Sequence, residues 1–135
     1  MPLTLEEAHT VISAAHEHAR RIGVQVTVAV VDEGGLLVSL ARMDGAPPIS
    51  PQIAESKAVG AAVWLREGDS LAQVHQERPG FFAQVDRLVR LPMMPGLGSL
   101  LVRRGGAVLG AVGVSGALPQ QDHDCAEAGL NALRS

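Results

Sequence analysis

Two glycine-punctuated hairpins constrain this chain more than anything else in it. The first reads Val28-Ala-Val-Val-Asp32-Glu-Gly34-Gly35-Leu-Leu-Val-Ser-Leu-Ala-Arg42, with apolar runs on either side of an acidic Gly-Gly turn. Glycine supplies the positive φ that a tight turn requires. The second spans 99–115, with Gly105-Gly106 at its tip. Strands joined by short turns pair antiparallel. Val24, Val26, Val28 and Val30 alternate with Gln25, Thr27 and Ala29, which gives the first strand one especially apolar face. A sheet with apolar faces needs helices to cover them.

Helical signals stand where such covers are needed. Thr4 followed three residues later by Glu7 reads as a capping box. Leu5, Ala8, Ile12, Ala15, Ala19 and Ile22 recur at helical spacing, and Gly23 closes the helix. After the break at Pro47-Pro48, Ser50 as N-cap and Pro51 at the first position open a second helix running to about residue 65. A short helix capped by Asp69 or Ser70 runs to residue 76, and Pro79-Gly80 ends it. A further short turn covers 81–85. Residues 88–91 read as a short strand, and 92–98 is a breaker-rich loop. Pro119 opens a last helix to residue 133. Residues 1–135 read as one α+β domain, with no repeat, linker or low-complexity tract.

Composition narrows the function. The chain has 135 residues, enough for a single hydrophobic core, and 47% are apolar. Aromatics make up only 2%, so the core must be aliphatic. The net charge of −3, without a basic run, and the scarcity of rings leave nothing to read nucleic acid with. The single cysteine, Cys125, excludes an internal disulfide and a multi-cysteine metal site. No apolar run approaches the length of a membrane span, and no secretory signal is visible, so a cytoplasmic location without membrane association is the expectation.

The segments Val30-Val31-Asp32-x-Gly34-Gly35, Ala41-Arg42-Met43-Asp44-Gly45-Ala46, Ile53-Ala54 with Lys57-Ala58, and Gly110-Ala-Val-Gly113-Val-Ser115-Gly116 are a recognisable set. With Gln121-Asp122, Ala126 and Ala128-Gly129-Leu130, they make the chain resemble the GlcG/HbpS family, also found as the C-terminal domain of PduO-type corrinoid proteins, over almost its whole length. The resemblance implies a five-stranded antiparallel sheet sandwiched by helices in a profilin-like layout. It also implies haem or tetrapyrrole binding, in some members through a histidine of the first helix, and assembly into dimers or higher homo-oligomers. In place of the Gly-Gly-x-Pro-Leu of many relatives stands Gly96-Leu97-Gly98-Ser99-Leu100, preceded by Pro92-Met93-Met94-Pro95. That loop is expected to line a pocket or interface.

Three of the five histidines, His9, His16 and His18, fall on the first helix. His16 and His18 are two apart, and His9 and His16 lie about 10 Å apart along the axis, so no two can share one metal ion from a regular helix. Haem needs a single protein nitrogen, which makes His16 or His18 a candidate axial ligand. Arg42 is suited to a carboxylate, either Asp44, a haem propionate or an organic acid. Met43 is a candidate for packing or for a sulfur contact. Lys57, among small neighbours, can present its amine to a pocket or form an internal salt bridge that pins the Arg42 loop. Ser115-Gly116 ahead of a helix is a candidate anion contact, whereas Gly113-Val114-Ser115-Gly116 does not fit the hydrolase pattern G-x-S-x-G. Asp122 and His123 read as solvated surface groups.

Three readings of function stay open at this point. The first is a haem or tetrapyrrole binder using His16 or His18, with Arg42, Met43, Asp44, Lys57 and Ser115 as further contacts. The second is a cofactor-independent isomerase, hydratase or lyase for an organic acid or other small metabolite, with Arg42 anchoring the carboxylate and Lys57 or Asp44 moving protons. The third is an accessory homo-oligomer without ligand chemistry.

Overall fold

The computed structural model describes residues 2–134. Helix α1 spans Leu5–Ile22 and β1 Thr27–Asp32; β2 is Leu37–Arg42 and α2 Ser50–Trp64. Two short helices follow, α3 at Gly68–Glu77 and α4 at Pro79–Val85. Strands β3, Ser99–Arg104, and β4, Ala107–Ser115, precede α5 at Pro119–Arg134. The α+β class holds, but the sheet of the described residues has four strands rather than five, in the order β2-β1-β4-β3 and antiparallel throughout.

The expected strand at 88–91 is the missing one, because its residues turn instead of pairing. Leu88 N–H bonds to the Val85 carbonyl and Arg87 N–H to that of Gln84, which continues the end of α4. Arg90 then clasps Glu55 at 2.8 Å and the Gly35 carbonyl at 2.8 Å. This segment is anchored by side chains, where a strand would need a free sheet edge beside it.

Local chemistry explains most of the element ends. The capping box forms, with Thr4 Oγ1 accepting from Glu7 N–H and Glu7 accepting from Thr4 N–H, and Gly23 ends α1 in the left-handed region. Ser50 is the first residue of α2 rather than its cap; its hydroxyl donates to the Pro47 carbonyl at 2.6 Å and bonds to buried Thr27 at 2.7 Å. Asp32 organises the first turn by accepting from Gly34 N–H and Leu36 N–H, each at 2.9 Å.

The sheet lies between two helical layers. Alternation sends Val28, Val30, Val112 and Val114 towards α1 and α5, where they pack with Val11, Ala15, Cys125 and Leu130. It sends Val31, Leu101 and Ala111 towards α2, α3 and α4, where they meet Ala58, Leu71, Phe82 and Met93. Trp64, Phe81 and Phe82 form one ring cluster at the α2–α4 corner, with centroids 4.4–6.0 Å apart. They are the only aromatic residues in the chain.

Helix α2 packs closely on the sheet because the facing residues are small. A Cβ on Gly113 would stand 2.1 Å from the Ala54 carbonyl oxygen and 2.7 Å from the Ala58 nitrogen. Both neighbours are backbone atoms and cannot step aside. Replacing Gly113 by alanine is therefore expected to cost about 3 kcal/mol of stability, since overpacking forces the backbone itself to shift. Urea denaturation of Gly113→Ala beside the parent protein measures that loss.

Candidate functional site

The end of β2 and the loop after it meet α1 along an open groove of about 450 Å³, lined by His16, Arg20, Gln25, Arg42, Met43 and Asp44. Helical spacing brings Arg20 one turn beyond His16 on the same flank of α1. The half-buried His16 ring uses Nε2 against the Ala41 carbonyl at 3.2 Å. A carbonyl only accepts, so Nε2 carries a proton there and, in the neutral ring, Nδ1 holds the lone pair. Burial holds the imidazole below its ordinary pKa of 6.5, against the upward pull of the Ala41 carbonyl and with help from Arg20.

Arg42 does not pair with Asp44. Its Nε and Nη2 both donate to the Ala46 carbonyl, at 3.0 and 2.7 Å, which folds the loop back on itself and leaves Nη1 without a partner among the described residues. Met43 packs against the α1/α5 core, and its sulfur accepts from Val26 N–H at 3.4 Å. Asp44 is exposed on the lip of the groove. Four of the residues singled out in the sequence, His16, Arg42, Met43 and Asp44, thus share one surface.

The other candidates lie apart from it. His18 occupies the opposite flank of α1, in a depression shared with Asp124 and Glu127 of α5. Ser115 is buried at the end of β4, opposite Thr27. Lys57 does form an internal salt bridge, but not with the Arg42 loop. Its ammonium donates to the Val114 carbonyl at 2.8 Å and to Asp122 Oδ2 at 3.3 Å, and both side chains are almost wholly buried.

Asp122 is the residue that sequence reasoning misplaced. It is 3% exposed, not a solvated surface group. Its Oδ1 accepts from Ala117 N–H at 3.0 Å, tying down the turn into α5. Burial pushes its carboxyl above the usual range, opposed by the Lys57 charge and the bond from Ala117. The available signal was the apolar stripe of α5: Asp122 lies one turn before Cys125 and Ala126, on the inward face. Gly98 leaves room for the pair, since a Cβ there would meet Lys57 Nζ at 2.8 Å and the Val114 carbonyl at 2.7 Å.

The Met-Pro loop turns one of its two methionines inward. Met93 is buried in the α2-side core and sits against Gly60, so it fills space that a pocket would have needed. Cys125 is a buried core thiol pushed up to about 11 by burial and by Asp122 and Asp124. Among the described residues no group of three or more His, Cys, Asp or Glu is placed to hold a metal ion. No helix there is long and apolar enough to cross a membrane.

The family model described as haem-degrading protein HbpS-like matches residues 3–131. The chain belongs to the HbpS-like family. Protein GlcG of Escherichia coli strain K12 is 36% identical over 115 residues, covering 84% of this chain and 81% of the relative. The corrinoid adenosyltransferase PduO of Salmonella typhimurium is 28% identical over 131 residues, which are 97% of this chain but only 39% of that enzyme. Among solved structures, a PduOC:heme complex superposes with a TM-score of 0.87 at 28% identity, covering 98% of this chain and 95% of the other. HbpS gives 0.87 at 34% identity, with coverages of 98% and 91%. The fold of this HbpS-like chain, with helices on both faces of an antiparallel sheet, is the one those likenesses share.

Two outcomes follow from the polar groups of this HbpS-like chain. Lys57→Met alone strands a buried carboxylate and is expected to cost about 3–5 kcal/mol, whereas Lys57→Met with Asp122→Leu recovers most of it. Chemical denaturation of both variants makes the comparison. His16 has a depressed pKa in the fold, so its contribution is complete above pH 6.5 and is lost as pH falls through the folded value, where the unfolded chain binds the proton first. Stability measured from pH 8 to pH 5 should fall less steeply in His16→Gln than in the parent.

Proposed function

We propose that this protein binds haem in the α1–β2 groove, with His16 as the axial ligand and Arg20 and Arg42 receiving the propionates. The reading rests on one observation above all. A half-buried imidazole kept neutral by its surroundings shares an open groove with two guanidinium groups and a thioether-backed wall. The solved PduOC:heme complex, at 28% identity, and the description of the family as haem-degrading support the same ligand class.

The donor chemistry fits the group. A neutral imidazole offers a lone pair to iron, and an imidazolium does not. Among the described residues Nδ1 of His16 has no hydrogen-bond partner, and rotation of the ring away from the Ala41 carbonyl frees Nε2 instead. Arg42 holds its loop through Nε and Nη2 and keeps Nη1 for a carboxylate, where a charge-assisted bond is strong. Met43 presents its side chain as a wall, because its sulfur is engaged with Val26 N–H. His18 is the poorer choice, since Asp124 and Glu127 beside it would repel propionates. Bound haem supplies a redox-active iron whose reactivity the axial nitrogen and the local polarity tune.

Titrating purified protein with hemin and following absorbance tests this. A saturable one-to-one Soret shift is expected in the parent and in His18→Ala. Affinity should drop at least tenfold in His16→Ala, and less in Arg42→Gln. Non-saturating uptake, or binding indifferent to His16→Ala, would overturn the assignment.

A further inference from the structure

Strand β2 closes one end of the sheet and β3 the other, and the two edges differ. At β3, Val114 N–H bonds to the Gly98 carbonyl, so the antiparallel alternation turns Leu101 N–H outward. Glu67, just ahead of α3, accepts that N–H at 2.9 Å. Nothing comparable covers β2. Met43 N–H bonds to the Val26 carbonyl, and the register continues with Arg42 opposite Thr27 and Leu40 opposite Ala29. Alternation then points the N–H and C=O of Leu40 and Arg42 away from β1. Among the described residues none of these outward groups has a hydrogen-bond partner.

We propose that β2 is a self-association edge: two copies of this chain pair their β2 strands antiparallel about a two-fold axis, which gives those backbone groups partners and joins the two sheets into one.

Three features favour a second copy as the occupant. The first is the make-up of the edge. Free edges are ordinarily protected by charge, proline or a covering element. Residues 37–41, Leu-Val-Ser-Leu-Ala, hold neither a charge nor a proline. The bulge at Val38 lies at the hairpin end and leaves 39–42 regular. The second is the match between faces. Leu37 and Leu40 stand opposite Val31 and Ala29, on the α2 face, whereas Ser39 and Ala41 stand opposite Val30 and Val28, on the α1 face. Leu37 is 45% exposed. Reversal about a two-fold lays leucines beside leucines on one face and small residues beside small residues on the other. Such cross-strand pairs are what stabilise a sheet. The third is charge. Asp32 and Glu33 precede the strand and Arg42 ends it. Antiparallel pairing turns the Arg42 end of each copy towards the acidic turn of the other, whereas parallel pairing would set Arg42 beside Arg42. A two-fold axis makes both matches at once.

Sedimentation and amide hydrogen exchange of the haem-free protein test this interface. The parent is expected to sediment as a dimer, or a multiple of one, at micromolar concentration. Its Leu40 and Arg42 amides should be protected from exchange, with the protection fading on dilution. Leu40→Pro removes an outward N–H and spares the β1–β2 ladder, so it should give monomers with an unchanged circular dichroism spectrum. Glu33→Arg should weaken association about threefold or more. A parent that stays monomeric, an assembly whose Leu40 and Arg42 amides exchange freely, or one that survives Leu40→Pro intact would each overturn the interface. The exchange measurement uses the parent alone, so the outcome does not depend on a variant folding. Neither Leu40 nor Glu33 lines the haem groove, so failure of haem binding would leave this result standing.

Discussion

Helix α2 lies on β1 and β4 only because the facing residues, Ala54 and Ala58 on one side and Ala29, Ala111 and Gly113 on the other, are small. The helix backbone comes within reach of the strand backbone at Gly113. Side chains between the seam residues of α2 are then delivered to fixed positions at the rim of the sheet. Lys57 is one of them, and it extends past the end of β4 to meet Asp122 at the start of α5. One tight seam therefore positions an ion pair that links the helical layers on opposite faces of the sheet.

Burying that pair has a cost, because two charges leave water. The protein offsets it with further polar contacts: the Val114 carbonyl accepts from Lys57, and Ala117 N–H donates to Asp122. The contact that results is strongly directional, and it fixes where the turn into α5 begins. The groove on the other flank is built the opposite way. Its polar groups stay near solvent, and two of them are held by backbone carbonyls: Ala41 for His16 and Ala46 for Arg42. Polar side chains held in this way are oriented without being neutralised, as a ligand site requires.

Much of the fold was legible in residue order. Both hairpins, the capping box at Thr4, the glycine stop at Gly23 and the α+β class follow from short-range rules of turn and helix chemistry. The strand at 88–91 was not, because four apolar-rich residues fit a strand or a buried turn equally well, and only the distant anchors Glu55 and Gly35 select the turn. At the groove, spacing along α1 separated His16 from His18 but held no information on which flank β2 would cover. The Lys57–Asp122 contact joins residues 65 positions apart. Each half showed a signal of its own, a lysine among alanines and an aspartate on an apolar stripe, and only the seam between α2 and the sheet brings them together.

The placement of the rings decides what light can report about this molecule. Trp64 is the single tryptophan and there is no tyrosine. Trp64 packs against the core under α2, while the groove residue Met43 packs against the other core, on the far side of the sheet. Intrinsic fluorescence is thus a local gauge of the α2–α4 corner. Loosening of α1 by itself would pass with the emission little altered, and a fluorescence melt would follow the whole molecule only where both helical layers come apart together.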